Sequence, residues 1–487
     1  MRGFRARRSS EICDSLNSRG TLKTPIPPID PTTDSATRLG TAIRRREISA
    51  VEVLEAILAR IDKVNPTINA VVQLDREGAL KAAKAADNLR AGPDRPFHGV
   101  PVTIKDSFDT AGIISTGGTW GRRSYVPPED ATVVARLRKA GAIILGKTNT
   151  PELTAGGETD NRVYGRTNNP YDPTLTPGGS SGGAAAIIAA GGSPFDCGND
   201  TAGSIRLPAH FCGIAGLRPT NGRISRAGHI TGPEGMLQGI TASGPMSRHV
   251  EDLAIGLRVL SGPDARDPFM VPMPLHDPAA VVLRELRVAY FTDNGVVSPT
   301  AEIARAVTDS AAAIRSAGAQ VTEARPEGIA EASASGFRMM TGDGGATLLR
   351  ILDKWGSDKE HSDVRASFEG RTAMPAPEFT ALLEKIDVAR LAMRAFLEKF
   401  DLIVCPVNVE AAVPHGTTGT RVVPGASYTL AFSVAGWPTG TVRTATTANG
   451  LPIGVQVVAA PFREDHVIAA LHRLEESFGG WQPPKAD

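Results

Sequence analysis

The chain predicts an α/β fold with a largely parallel or mixed sheet. Apolar runs of strand length recur at 99–104, 142–145, 286–291, 402–407 and 453–458. Segments with helical spacing lie between them at 132–140, 301–317 and 465–478. Strands that alternate with helices are the pattern of a sheet layered with helices. Size is the third observation: 487 residues with 41% hydrophobic content can fill a large core, as one broad layer or as two or three domains.

Taken in order, the basic start Met1-Arg2-Gly3-Phe4-Arg5-Ala6-Arg7-Arg8 is followed by no apolar run of signal-peptide length, and a proline-rich stretch closes it at Pro31. Residues 1–31 are expected to be a flexible tail and 32–487 a single folded body. Ser49 and Glu52 make a capping box, and Val51, Leu54, Leu58 and Ile61 share one helical face. That helix should stop before Pro66. The run at 99–104 ends against Lys105, and the helix at 132–140 feeds the strand at 142–145. Residues 184–190 are the longest apolar stretch and are too short to span a bilayer. No internal repeat is present. Residues 330–400 differ in character: methionine and glycine cluster from Gly336 to Gly345, and charged helical sequence follows.

Composition narrows the partners. With 53 basic and 52 acidic residues the net charge is +1, which gives no electrostatic footprint for nucleic acid or an anionic membrane and fits a neutral small molecule. Cys13, Cys197, Cys212 and Cys405 are scattered and form no Cys-x-x-Cys pair, so neither a disulfide framework nor a zinc site is expected, and a reducing cytoplasm is the default. There is no His-Glu-x-x-His and no Walker loop, and Gly342-Asp343-Gly344-Gly345 lacks the strand-turn-helix setting of a dinucleotide site. No metal and no cofactor is implied.

Chemistry concentrates in three places: Lys105 in Val-Thr-Ile-Lys-Asp, Ser180 in Gly-Gly-Ser-Ser-Gly-Gly, and Ser204 in Asp-Thr-Ala-Gly-Ser-Ile-Arg. A serine hydroxyl needs a base to attack at neutral pH, and no histidine lies within either serine motif, so the lysine is the candidate. Ser204 is the nucleophile of choice, because it follows Ala202 and Gly203 in a loop where the N–H groups of Thr201, Ala202, Gly203 and Ser204 can turn toward a carbonyl oxygen. Lys105 must be neutral to act as a base, and burial at a strand end disfavours its ammonium form. Asp200 and Arg206 read either as residues that fix the nucleophile loop or as a structural ion pair. Gly178-Gly179-Ser180-Ser181-Gly182 also fits the Gly-x-Ser-x-Gly pattern of α/β-hydrolases, which would make Ser180 the nucleophile with a downstream histidine. That pattern leaves Lys105 and Ser204 unexplained.

Together these motifs resemble the amidase signature family. Ser204 follows Ser180 by 24 residues and Ser180 follows Lys105 by 75, as the resemblance requires. The likeness extends through Gly146-Lys147-Thr148-Asn149-Thr150-Pro151-Glu152, Gly165-Arg166-Thr167-Asn168-Asn169-Pro170, Cys212-Gly213-Ile214-Ala215-Gly216-Leu217-Arg218-Pro219-Thr220 and Gly450-Leu451-Pro452-Ile453-Gly454-Val455-Gln456. It is strongest from about 95 to 250. The resemblance implies a large mixed central β-sheet with α-helices on both faces, and a Ser204, Ser180 and Lys105 triad in which Ser180 follows a cis peptide bond and relays protons. Ser181 would help hold the lysine and serine in place. The family usually has two glycines before the nucleophile, and here Ala202 replaces the first. By analogy 330–400 would roof the substrate pocket; the plainer reading is a surface insertion.

For the substrate, the small residues Thr154, Ala155, Gly156 and Gly157 suggest a roomy acyl wall, with Trp437, Met339 and Met340 as apolar liners. Uncharged aryl or alkyl amides are expected, cleaved through an acyl-enzyme, a route open to carbamates and esters as well. The main alternative is a glutaminase subunit of a transamidating complex. The protein is expected as a monomer or homodimer.

Overall fold

The computed structural model describes residues 28–233 and 235–485. β1 (Val71–Leu74), β2 (Pro101–Lys105) and β3 (Ile143–Thr148) form a three-stranded sheet in the order β1-β3-β2, with β2 and β3 parallel and β1 antiparallel. The remaining strands are β4 (Phe195–Asp200), β5 (Ala215–Arg218), β6 (Ala242–Ser247), β7 (Arg287–Tyr290), β8 (Gln320–Glu323), β9 (Leu402–Pro406), β10 (Thr439–Thr446) and β11 (Pro452–Ala459). They make one eight-stranded mixed sheet, ordered β4-β6-β5-β10-β11-β9-β7-β8. Only the β7–β8 and β7–β9 pairs in it are parallel.

Helices cover both faces, and β9 shows why. Side chains alternate across a strand. Leu402 and Val404 join a core with Val467 and Leu471 of the helix Glu464–Phe478, while Ile403 and Cys405 join a second core with Tyr428 and Phe432 of the helix Ser427–Ala435. A strand apolar at every position must be buried on both sides.

All five expected strands are present within a residue or a few at each end, as are the helices Thr132–Lys139, Ala301–Ser316 and Glu464–Phe478. The helix that Ser49 caps with its capping box runs from Ala50 to Ile68, so the stop expected before Pro66 is incorrect. Pro66 falls in the last turn, where it removes only the one bond its N–H would give to the Asp62 carbonyl, and the helix ends two residues later when Asn69 turns left-handed at φ 47°. Asn65 Oδ1 then accepts the N–H groups of Ala70 and Val71 and launches β1. The expected tail lies outside the described residues up to position 27. Within its last residues, Ile29 packs against the core and the Pro31 carbonyl accepts from Arg248, so 28–31 are attached to the body. Residues 330–400 fold mainly as helices, Ile329–Met340, Ala346–Trp355, Asp363–Phe368 and Ala376–Phe396. Among the described residues no helix is long and apolar enough to cross a membrane.

Candidate active site

Two strand ends and one helix start bring the site together. Lys105 is the last residue of β2, Asn199 and Asp200 end β4, and Ser180 and Ser181 immediately precede the buried helix Gly182–Ala189. Residue 183 must be glycine in this arrangement, since a Cβ there would lie 2.4 Å from the Asn149 backbone nitrogen. The Gly179–Ser180 peptide bond is cis.

Lys105 is fully buried, and its Nζ lies 2.7 Å from Ser180 Oγ, 2.9 Å from Ser181 Oγ and 2.7 Å from Asn199 Oδ1. All three partners are neutral. Among the described residues no carboxylate lies within ion-pair distance of it. Burial pushes its ammonium well below the usual lysine value, against a weaker opposing pull from Asp196, Asp200 and Cys197. An amine held neutral can accept a proton from Ser180. Asn199 was not anticipated from the sequence, because a strand reading Phe-Asp-Cys-Gly-Asn-Asp carries no apolar alternation to draw attention to it.

Ser204 sits apart from the buried pair, partly exposed in the wall of a cavity of about 300 Å³. Its carbonyl accepts the Ser181 N–H at 3.2 Å, which ties the two serine motifs together. The loop that carries Ser204 is wrapped around one carboxylate. Asp200 accepts the N–H groups of Gly203 at 2.8 Å and Ile205 at 3.0 Å, and is gripped in bidentate fashion by Arg206 at 2.9 and 2.8 Å. Arg206 also donates to the Thr429 carbonyl, to Ser433 Oγ and to Gln456 Oε1. Burial disfavours the Asp200 charge, but Arg206 and Arg218 with these hydrogen bonds hold its carboxyl well below the usual range. The two sequence readings of Asp200 and Arg206 therefore merge: the ion pair is structural, and what it structures is the loop that carries Ser204. Asp200→Asn is expected to destabilise the protein by about 3–5 kcal/mol, because it leaves the Arg206 guanidinium buried and unpaired. Denaturant titration of the variant checks this.

The same bonds correct one expectation. The Gly203 N–H is donated to Asp200 and is not available to an oxyanion, which leaves Thr201, Ala202 and Ser204 of the four candidates. Gly203 is needed for its backbone instead: its φ is 122°, and a Cβ there would meet Thr429 Oγ1 at 2.8 Å. Ala202 keeps a negative φ, so its methyl group is accommodated, and its carbonyl accepts from Thr429 at 2.6 Å.

The cavity is also bounded by Thr154, Ala155, Gly156 and Gly157, as expected from the sequence. Its apolar surface comes mainly from Leu153, Leu207, Phe337, Met340, Leu348 and Phe368, and among the described residues no charged side chain lines it. Met339 and Trp437 are not liners. Both are buried in the core beneath, where Trp437 stacks on Phe432. Among the described residues no histidine nitrogen bonds to Ser180 or Ser204. His210, the buried histidine nearest Ser204 in sequence, is engaged with the Glu410 carbonyl and the Gly454 N–H, which removes the α/β-hydrolase alternative.

The comparisons with known proteins agree with this geometry. The amidase family profile matches residues 52–468. An indoleacetamide hydrolase of Bradyrhizobium diazoefficiens is 36% identical, with 91% of this chain and 86% of that protein aligned. A glutamyl-tRNA(Gln) amidotransferase subunit from Roseiflexus sp. is 37% identical over 88% of this chain and 93% of its own. Among solved structures, a substrate complex of 6-aminohexanoate cyclic dimer hydrolase superimposes with a TM-score of 0.82 at 29% identity, covering 94% of this chain and 99% of that one. A match that begins two residues into the first long helix and ends inside the last one takes in both sheets and every residue of the site, and on that ground the chain belongs to the amidase family, enzymes that hydrolyse C–N bonds.

Proposed function

We propose that the protein is a serine amidase for uncharged amides with apolar groups on both sides of the scissile bond, and that the same acyl-enzyme route turns over aryl carbamates and esters. Ser204 Oγ attacks the carbonyl as its proton passes to Ser180, whose own proton moves to neutral Lys105. The N–H groups of Thr201, Ala202 and Ser204 receive the oxyanion, and each such donor is worth roughly 3 kcal/mol of barrier. The lysine proton returns through Ser180 to the leaving amine, and water repeats the cycle on the acyl-enzyme. Asn199 and Ser181 orient the lysine, and residues 330–400 act as the cap.

One observation carries the substrate reading: among the described residues, no charged side chain lines the cavity beside Ser204. Glutamine would bring an ammonium and a carboxylate into it with no partner for either, a costly burial. The apolar lining is drawn from two separate hydrophobic clusters. Leu207 and Val422 belong to one hydrophobic cluster, and Leu153, Leu348 and Phe368 to another. An amide apolar at both ends therefore gains from each cluster.

A panel of anilides, aliphatic amides, glutamine, esters and aryl carbamates tests this. Anilides with an apolar acyl group are expected to exceed glutamine in kcat/KM by about 100-fold or more. Preference for glutamine would return the case to a transamidating subunit. The cavity wall offers a second check. A Cβ at Gly157 would have open space, with Val422 4.0 Å away, whereas one at Gly156 would crowd Pro151 and the Glu158 carbonyl at 3.3 Å. Gly157→Phe should therefore penalise bulky substrates about tenfold more than acetamide-sized ones. Equal loss across a size series would refute the wall assignment.

A further inference from the structure

Asp196 is a fully buried carboxyl that the reaction does not use. It sits on β4, and its Oδ2 accepts hydrogen bonds from Thr103 Oγ1 at 2.7 Å and Thr148 Oγ1 at 3.0 Å, while Oδ1 has no hydrogen-bond partner. Both donors flank the lysine. Thr103 lies two residues before Lys105 on β2 and so on the same face of the strand, and Thr148 is the residue paired with Lys105 across the β2–β3 ladder. The carboxyl is thus held against the strand that carries the lysine, whose backbone N–H also favours its ionised form, and the two charges are separated by roughly 7 Å if their spacing follows a two-residue strand step.

We propose that Asp196 is a positioning residue for the base, whose charge sets the proton affinity of the Lys105 amine and hence the pH at which Ser204 becomes nucleophilic. This rests on the reading of Lys105 as base. Burial raises the Asp196 carboxyl to about 7, so it changes charge within the working range of an enzyme. When ionised it favours the ammonium form of Lys105 and defers release of the free amine to higher pH. Across roughly 7 Å of protein interior the effect is about one pH unit or somewhat more.

The other groups around the pair are accounted for. Asp200, also on β4, is locked to Arg206 and stays ionised. The Cys197 thiol is pushed well above its usual value by burial. Lys147 on β3, lowered to about 8 chiefly by burial, is held by the Phe108 carbonyl, Thr110 and Ser115. Asp106, next to Lys105 on the chain, is raised by burial and bonded to Thr116. His229 is buried and held neutral, far below its usual range. Of the carboxyls that pull on Lys105, Asp196 is therefore the one free to change charge.

The test is the rate at which a fluorophosphonate inactivates the enzyme as a function of pH, which reads the base without a known substrate. Asp196→Asn keeps the shape of the side chain and removes its charge. Its acid limb is expected about one pH unit below that of the wild type, with a plateau within about threefold. Thr103→Val removes one hydrogen bond that stabilises the carboxylate and should shift the limb the same way by less, which decides the matter if the Asn variant does not fold. A limb that stays in place or moves upward in a folded variant overturns the inference. Lys105→Ala, run in parallel, separates the two ideas. If it is inactivated as fast as the wild type, the lysine-base reading fails and this inference with it. If it is inert while the Asp196→Asn limb is unmoved, the inference alone fails.

Discussion

Ser204→Ala is expected to lower turnover by about 10⁴-fold or more while leaving the fold intact. The side chain opens onto the cavity, and what holds the loop is its backbone, through the Ser204 carbonyl and the amides bonded to Asp200. Removing one hydroxyl oxygen therefore removes the attacking atom without loosening its support. A fluorophosphonate should label Ser204 in the native enzyme, as peptide mapping by mass spectrometry will report. Labelling at Ser180 that persists in the Ser204→Ala variant would refute the assignment. Ser180 is buried, bonded to Lys105 and not among the cavity's lining residues, as the proposed relay role asks.

Lys105→Ala should cost about 10³-fold or more in kcat/KM, toward the upper end of what a general base contributes. In the wild type the rate should rise with pH as the lysine sheds its proton, with a midpoint below the roughly 10.4 of a free lysine. The sign follows from burial: a lysine whose proton affinity is lowered on folding carries its charge only at lower pH, and the neutral form is the base. The same burial implies that the wild type gains stability as pH rises past the Lys105 folded value, while the Ala variant lacks that gain. Retention of most activity by Lys105→Ala, or a wild-type rate with no acid limb at any pH at which the enzyme stays folded, would sink the lysine-base mechanism.

The parts of the site that could be read from sequence are those in which local motif and chemistry coincide. Ser180 and Ser204 stand in glycine-rich loops and Lys105 ends an apolar run, so their residue types alone suggested a serine activated by an amine. Asn199 was invisible for the opposite reason. It lies on a strand whose Asp, Gly and Asn content reads as loop, and only pairing between β4 and β6 makes it a strand. The Gly203 amide shows a second limit: sequence indicates that a backbone can turn, not which acceptor it finds. Met339 and Trp437 show a third. Apolar residues near a site pack into the core as readily as into a cavity, and Met340, one residue on, packs against the same core yet also lines the cavity. The five strands foreseen were those with alternating or continuous apolar runs. β10, with Thr, Gly and Arg along its length, owes its place between β5 and β11 to its partners.

The helices between 329 and 396 touch the chemistry only through the tips of Phe337, Met340, Leu348 and Phe368. Lys105, Asn199 and Asp200 are anchored elsewhere, at the ends of strands, Ser180 just before the helix Gly182–Ala189, and Ser204 in the loop that follows β4. Selection for a new substrate can thus work on one stretch of sequence while the proton-handling groups stay fixed in another. A lineage can exchange the molecules it consumes without reinventing how it breaks them, and an engineer inherits the same freedom.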